Sequence, residues 1–261
     1  RTLLDSRLTA ALLGALPQGY RAQVEEIMLC ALALACRRHF QAASLRFSLE
    51  SHGRAELDDS LDLARTIGWL TAEYPLCIEL HDAEHHEAVC AVKRVTRAVA
   101  DRGIGYGQLR YLHPQRDELA ALAQRNAPEI LFNYLGRFGQ DEGHWTPLRS
   151  RTRFRDAFAV AQDAQQALCY GLEVNIFVEE RRDGACLAIN WSWLEAIFSA
   201  SDIEALHRGI EQAVRALCEF AERHPERAAA TLTAAEIAQP NVDDETLRAW
   251  EREYGPLADA L

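Results

Sequence analysis

The amino-acid sequence predicts a mixed α/β fold in which helices cover a sheet. Apolar residues recur at helical spacing in two long stretches, Val24, Ile27, Met28, Ala31 and Ala35 in one, Ile203, Leu206, Ile210, Val214, Leu217 and Phe220 in the other. Elsewhere they alternate with other residues, as in Leu45, Phe47 and Leu49, and again in Leu172, Val174, Ile176 and Val178. The two patterns interleave along the chain, which places both kinds of element in one layered domain, expected over residues 1–224. From Pro225 to Leu261 the sequence turns alanine-rich and acidic. This part reads as a linker segment, with a small helix over Asp244–Tyr254.

Taken in order, Ser6–Leu16 predicts a short helix stopped near Pro17 and Gly19, and Arg21–Phe40 predicts a second helix. Leu45–Glu50 predicts a strand with two distinct faces, and Leu76–Leu80 another strand. Between them, Arg65–Pro75 holds Gly68 and the pair Tyr74-Pro75, which predicts a shaped crossover instead of a regular element. A helix follows over Ala83–Ala100. Gly103 and Gly105 mark its end, as a C-cap leading into a short helix. Pro128 precedes a strand over Glu129–Leu135. Leu172–Val178 and Leu187–Trp193 predict a hairpin turning at Asp183-Gly184, with Trp191 and Trp193 on one packed face. Ser201 and Glu204 read as a capping box for the last long helix, which runs to Arg223.

Composition excludes several classes. Hydrophobic residues make up 49% of the 261, enough for a substantial core, and the formal net charge is −11. An acidic surface repels phosphate backbones, so no nucleic-acid partner is expected. No run of eighteen apolar residues occurs, so no membrane span is expected, and no secretory signal opens the sequence. The seven cysteines form no CxxC pair. They read as buried, reduced thiols of a cytoplasmic protein, with neither disulfides nor a metal site. The chain starts at Arg1 and stops after YGPLADA; both ends read as cut from a longer polypeptide.

Four segments carry candidate chemistry. Glu50 ends a strand pattern beside His52 and Arg54, so its carboxylate could act as a general acid or base, or could simply pair with Arg54. Arg65 could pair with a carboxylate or orient Glu50. The glycines around Ile104 and Tyr106 resemble a nucleotide loop only superficially, since they follow a helix and no GK[ST] follows them. Asn133 and Tyr134 are adjacent in a strand and so point to opposite faces, unless Gly136 marks a distortion. His85-His86, early in a helix, read as surface residues, and His144-Trp145 suggest no chemistry.

In this order and at this spacing, ESHGR (Glu50–Arg54), RTIGWLTAEYP (Arg65–Pro75), GIGYGQLRYL (Gly103–Leu112) and FNYLGRF (Phe132–Phe138) resemble the motifs of the epimerization domain of nonribosomal peptide synthetases. The resemblance covers about Asp5 to Arg223. It implies a chloramphenicol-acetyltransferase-like sandwich, of which this chain would be the C-terminal half of the pseudo-dimer. It implies inversion of the α-carbon of an aminoacyl or peptidyl thioester, L to D, by deprotonation and reprotonation, in secondary metabolism such as antibiotic biosynthesis. Glu50 and Tyr134 would be catalytic. His52, Arg54, Arg65, Trp69, Tyr106 and Asn133 would bind substrate or shape the site.

No cofactor or metal is implied beyond the phosphopantetheine arm of a peptidyl carrier protein. The other implied partners are the N-terminal half of the same domain and neighbouring synthetase domains, the tail leading toward a following one. Departures from the family pattern are Ser51, Leu70 and Ala55. The HHxxxDG motif that supplies the family's histidine does not occur, because His85-His86 are followed by Cys90 and Ala91 where Asp and Gly are needed. The chain alone is therefore expected to be inactive. The alternatives are a non-catalytic binding module of the same fold, and a condensation domain that forms peptide bonds; ESHGR and FNYLG favour epimerization over the latter.

Overall fold

The structure, a computed structural model, describes residues 1–54, 62–63, 65–80, 85–125, 127–138, 169–181 and 184–229, with Thr246 and Ala249. Its strands are β1 (Thr2–Leu3), β2 (Ser44–Ser51), β3 (Ala72–Glu79), β4 (Ile130–Phe138), β5 (Leu172–Arg181) and β6 (Gly184–Trp193). Its helices are α1 (Ser6–Leu13), α2 (Ala15–Gly19), α3 (Val24–Phe40), α4 (His85–Arg97), α5 (Ile104–Leu112), α6 (Arg116–Arg125), α7 (Ala200–Arg223) and α8 (Pro225–Ala229), with a 3-10 turn over Ala100–Gly103. The strands form one mixed sheet in the order β1-β6-β5-β4-β2-β3. β2, β4 and β5 run parallel, while β3 pairs antiparallel with β2 and β6 with β5.

Strand alternation sorts the sheet into an apolar and a polar face. Leu45, Phe47, Leu49, Ile130, Phe132, Val174, Ile176 and Ile189 are buried in one cluster with the apolar stripes of α3 and α7. The opposite face carries Ser48, Glu50, Glu73, Asn133, Glu173, Asn175 and Asn190. α3 and α7 pack against each other so closely that a Cβ on Gly209 would lie 2.8 Å from the Cβ of Ala35. Behind the sheet, Lys93 is fully buried, its Nζ donating to the Tyr20 carbonyl at 3.1 Å, and the Tyr20 hydroxyl donates to the Leu217 carbonyl at 3.1 Å. A buried lysine interrupting the apolar side of α4 had no signature in the sequence.

The element types expected from the sequence are present, with corrections. The first helix does not stop at Pro17: Gly14 breaks it, and α2 takes Pro17 into its first turn, where no N–H is required. α3 starts at Val24, not Arg21, because Arg21 is left-handed (φ 47°) and Gln23 with Glu26 forms the capping box. The crossover expected over Arg65–Pro75 becomes regular at Ala72, and Pro75 is tolerated because β3 is an edge strand. α4 ends at Arg97, and α6 was not expected at all. The capping box of α7 is Ser199 with Asp202 in place of Ser201 with Glu204. Gly184 pairs with Arg181 to open β6, as a hairpin requires.

His86 is not a surface residue. It is 8% exposed and stacks on Phe220 with centroids 4.2 Å apart. Arg227 of α8 lies over the same Phe220 ring, with Nη2 3.3 Å from His86 Nε2. Residues 225–229 thus form a helix docked on the domain, with Ala228 buried. The helix expected over Asp244–Tyr254, and His144-Trp145, fall outside the described residues apart from Thr246 and Ala249. Of the cysteines only Cys30 and Cys36 are buried, while Cys77 and Cys169 are exposed; none of the seven forms a disulfide. Burial pushes the Cys36 thiol up to about 12.

The Gly209 contact is directly testable. Gly209→Leu forces α7 away from α3 and should destabilise the fold by about 1–3 kcal/mol. An unchanged denaturant midpoint would mean the two helices are not in such close contact.

Candidate active site

Parallel pairing of β2 and β4 builds the centre of the site. The register Ser48↔Leu131 and Leu49↔Phe132 brings Glu50 and Asn133 side by side on the polar face. Asn133 Nδ2 donates to Glu50 Oε2 at 2.6 Å. On the other side, Glu73 of β3 is the cross-strand partner of Glu50. Burial raises the Glu50 carboxyl above the usual carboxylate range, and the charges of Glu73 and Glu173 raise it further. A half-buried acid of this kind exchanges protons nearer neutrality than a surface glutamate does.

Glu50 lines a cavity of about 500 Å³ at the carboxyl ends of these strands, the usual position of sites in parallel sheets. Tyr134 follows the apolar face yet lines the same cavity. The strand is distorted immediately after it: the β4–β5 register shifts between Tyr134 and Arg137, and Gly136 is left-handed (φ 79°). The Gly136 distortion posed by the sequence is therefore real. Burial raises the Tyr134 phenol, and the charge of Glu25 adds to this while Arg137 opposes it.

The far wall comes from elements the sequence reading did not connect to Glu50. Tyr74 is buried, and burial together with the Glu25 charge pushes its phenol up to about 12. Burial also raises Glu25, against the charge of Arg102. Arg97 grips Glu26 with both ends of its fork, at 2.7 Å and 2.8 Å, fastening α4 to the first turn of α3. Tyr74 had been legible only as a bend before Pro75. Glu25 and Arg102 had no local signal, because only the fold brings α3 and the 3-10 turn to the end of β2.

The remaining candidates separate. His52 is exposed at the cavity rim, its Nδ1 accepting from the Arg54 backbone N–H at 2.9 Å. Arg54 does not pair with Glu50; its Nη1 donates to the Leu63 carbonyl at 2.7 Å. Between them, Gly53 is left-handed (φ 61°), and a Cβ there would fall 1.5 Å from the Leu70 carbonyl oxygen, so this turn requires glycine. Arg65 is exposed and makes no ion pair among the described residues, so it does not orient Glu50. Trp69 is 89% exposed, away from the cavity. Tyr106 lines a second cavity of about 840 Å³ on the other side of β3, its hydroxyl accepting from Arg110 at 2.9 Å. Asn133 is half-buried, and the partner of its amide is Glu50 itself.

The profile of the condensation-domain family matches residues 2–239. The chain belongs to that family. It is 35% identical over 263 residues to vanchrobactin synthetase VabF of Vibrio anguillarum, matching along 100% of its own length but 9% of that protein. It is 33% identical over 215 residues to a linear gramicidin synthase of Brevibacillus parabrevis, covering 82% of this chain and 4% of that protein. The chain thus spans less than a tenth of these relatives. Among solved structures, the epimerization domain from the third module of tyrocidine synthetase B superposes with a TM-score of 0.69 at 24% identity, over 84% of this condensation-family chain and 47% of that domain. The X-domain from teicoplanin biosynthesis shares the fold at a TM-score of 0.54 and 18% identity.

The raised Glu50 has a stability consequence with a definite sign. The folded chain keeps a proton on Glu50 at pH values where the unfolded chain has released it. Across that window, upward from the usual carboxylate value, stability falls as pH rises. Glu50→Gln removes this penalty. Its melting temperature relative to wild type should therefore increase as pH rises above the usual carboxylate value. A difference that stays constant with pH would show that Glu50 titrates as an ordinary surface acid.

Proposed function

We propose that this chain supplies one of the two proton carriers of an epimerization domain. The substrate is an aminoacyl or peptidyl thioester presented on the phosphopantetheine arm of a peptidyl carrier protein. The observation that carries the reading is Glu50, a half-buried carboxyl with a raised proton affinity, held by Asn133 at a cavity it shares with Tyr134. The Glu50 carboxylate takes the α-proton, and the electron pair moves onto the thioester oxygen as an enolate. Tyr134 lines the same cavity, and in this reading its hydroxyl donates to that oxygen. A second acid outside this chain returns a proton to the opposite face of the α-carbon, and both carriers then re-equilibrate with solvent. The absence of HHxxxDG from the sequence is why the second carrier is assigned to the N-terminal half of the domain, with neighbouring synthetase domains beyond it. Residues 225–261 would then lead toward a following domain.

A condensation activity is the second reading, because that is the description of the matching family. The two differ in outcome: epimerization washes solvent deuterium into the α-carbon, whereas condensation consumes two loaded carriers and forms an amide.

In the complete domain, Glu50→Gln should retain the fold and lower deuterium wash-in by about 10²–10⁴-fold, the usual weight of a general acid–base group. Near-normal exchange would reduce Glu50 to a loop carboxylate. Tyr134→Phe should slow turnover with little change in melting temperature, since ring volume is kept; a normal rate would remove the tyrosine from the chemistry. The chain by itself should give no wash-in, and robust exchange by it alone would require a second proton carrier within these 261 residues.

A further inference from the structure

The sheet separates two cavities, and two facing carboxylates connect them. Glu50 lines one and Glu73 the other, and the two are directly opposed across the β2–β3 pair. Directly opposed antiparallel residues hold their Cβ atoms roughly 5 Å apart, so a charge on one is felt by the other. Glu73 does not swing freely. Ser48 Oγ, from the same face of β2 as Glu50, donates to Glu73 Oε1 at 2.6 Å. The Tyr170 hydroxyl, entering β5, donates to the same oxygen and lies 3.1 Å from Ser48 Oγ. Nothing in the epimerization mechanism proposed above requires Ser48, Tyr170 or Glu73, yet all three converge behind Glu50.

We infer that Glu73, clamped by Ser48 and Tyr170, is a positioning residue whose fixed negative charge sets the pH at which Glu50 takes and gives its proton. Among the other groups that face Glu50, Glu173 acts in the same direction and the rest do not duplicate Glu73. Asn133 on β4 is neutral and donates to the carboxylate. Glu173 on β5 lies farther along the sheet, opposite Leu131. Across the cavity, Glu25 of α3 faces Arg102 of the 3-10 turn, charges of opposite sign. His52 sits at the exposed rim. Glu73 is the like charge held in register and tied down by two hydroxyls, and a clamped charge gives a constant bias where a mobile one would turn away from its neighbour.

The catalytic significance of this inference rests on the proposed role of Glu50, but its test does not. The Glu50 carboxyl carbon is followed by NMR through a pH titration of the chain, in wild type and in Glu73→Gln, which keeps the shape and both hydrogen bonds but removes the charge. The Glu50 midpoint should fall measurably, because a like charge no longer opposes its ionisation. Ser48→Ala, which loosens the clamp without removing the charge, should lower it by less. In the complete domain, the limb of the exchange pH profile set by Glu50 should move to lower pH by the same amount as in Glu73→Gln, with the plateau rate nearly kept. A Glu50 midpoint unmoved in Glu73→Gln overturns the inference. A moved midpoint upholds it even if the complete domain shows no exchange, a result that would count against epimerization alone.

Discussion

The parallel register between β2 and β4 is the constraint on which the site depends. It is only three residue pairs long in the ladder, yet it decides that Glu50 meets Asn133 and not a residue of the apolar face. A slip of β4 by one position would put Phe132 or Tyr134 on the polar face beside Glu50. Parallel pairing needs a long connection between the strands. Here that connection contains β3, α4, α5 and α6, and three of these also build walls around the two cavities. The scaffold and the site are therefore the same chain segments.

The two faces of the sheet impose opposite requirements. On one, fully apolar burial fixes α3 and α7 and leaves no room for change. On the other, Ser48, Glu50, Glu73, Asn133 and Glu173 gather three carboxylates within a small area. Such a face is unfavourable for stability, since like charges across neighbouring strands repel. A half-buried acid with raised proton affinity, set beside like charges at a cavity, is a pattern associated with proton chemistry, where an unfavourable charge arrangement is retained because it is useful.

Much of the fold was legible because long helices and alternating strands leave strong periodic patterns, as in Ile203–Phe220 and Leu172–Val178. The errors have local causes. Gly14, Arg21 and Asp101 adopt backbone angles that no periodicity reveals, and the edge position that makes Pro75 acceptable is a property of the sheet, not of the segment. Of the site, Glu50, His52, Asn133 and Tyr134 were legible through strand alternation and motif resemblance. Tyr74, Glu25 and Arg102 were not, because their proximity to Glu50 exists only after α3 and the turn before α5 fold over the strand ends. Arg65, Trp69 and Tyr106 show the converse: a motif can mark residues that sit away from the acid it seems to serve.

Pro75 bears on more than the shape of β3. This strand forms one margin of the sheet, where an unpaired row of donors and acceptors could recruit another extended chain. Proline removes one of those donors, and the exposed Glu73, Cys77 and Glu79 place two negative charges along the same margin. A second copy approaching edge to edge would meet a missing hydrogen bond and mutual repulsion. The proline that an edge strand can tolerate also guards that edge against aggregation.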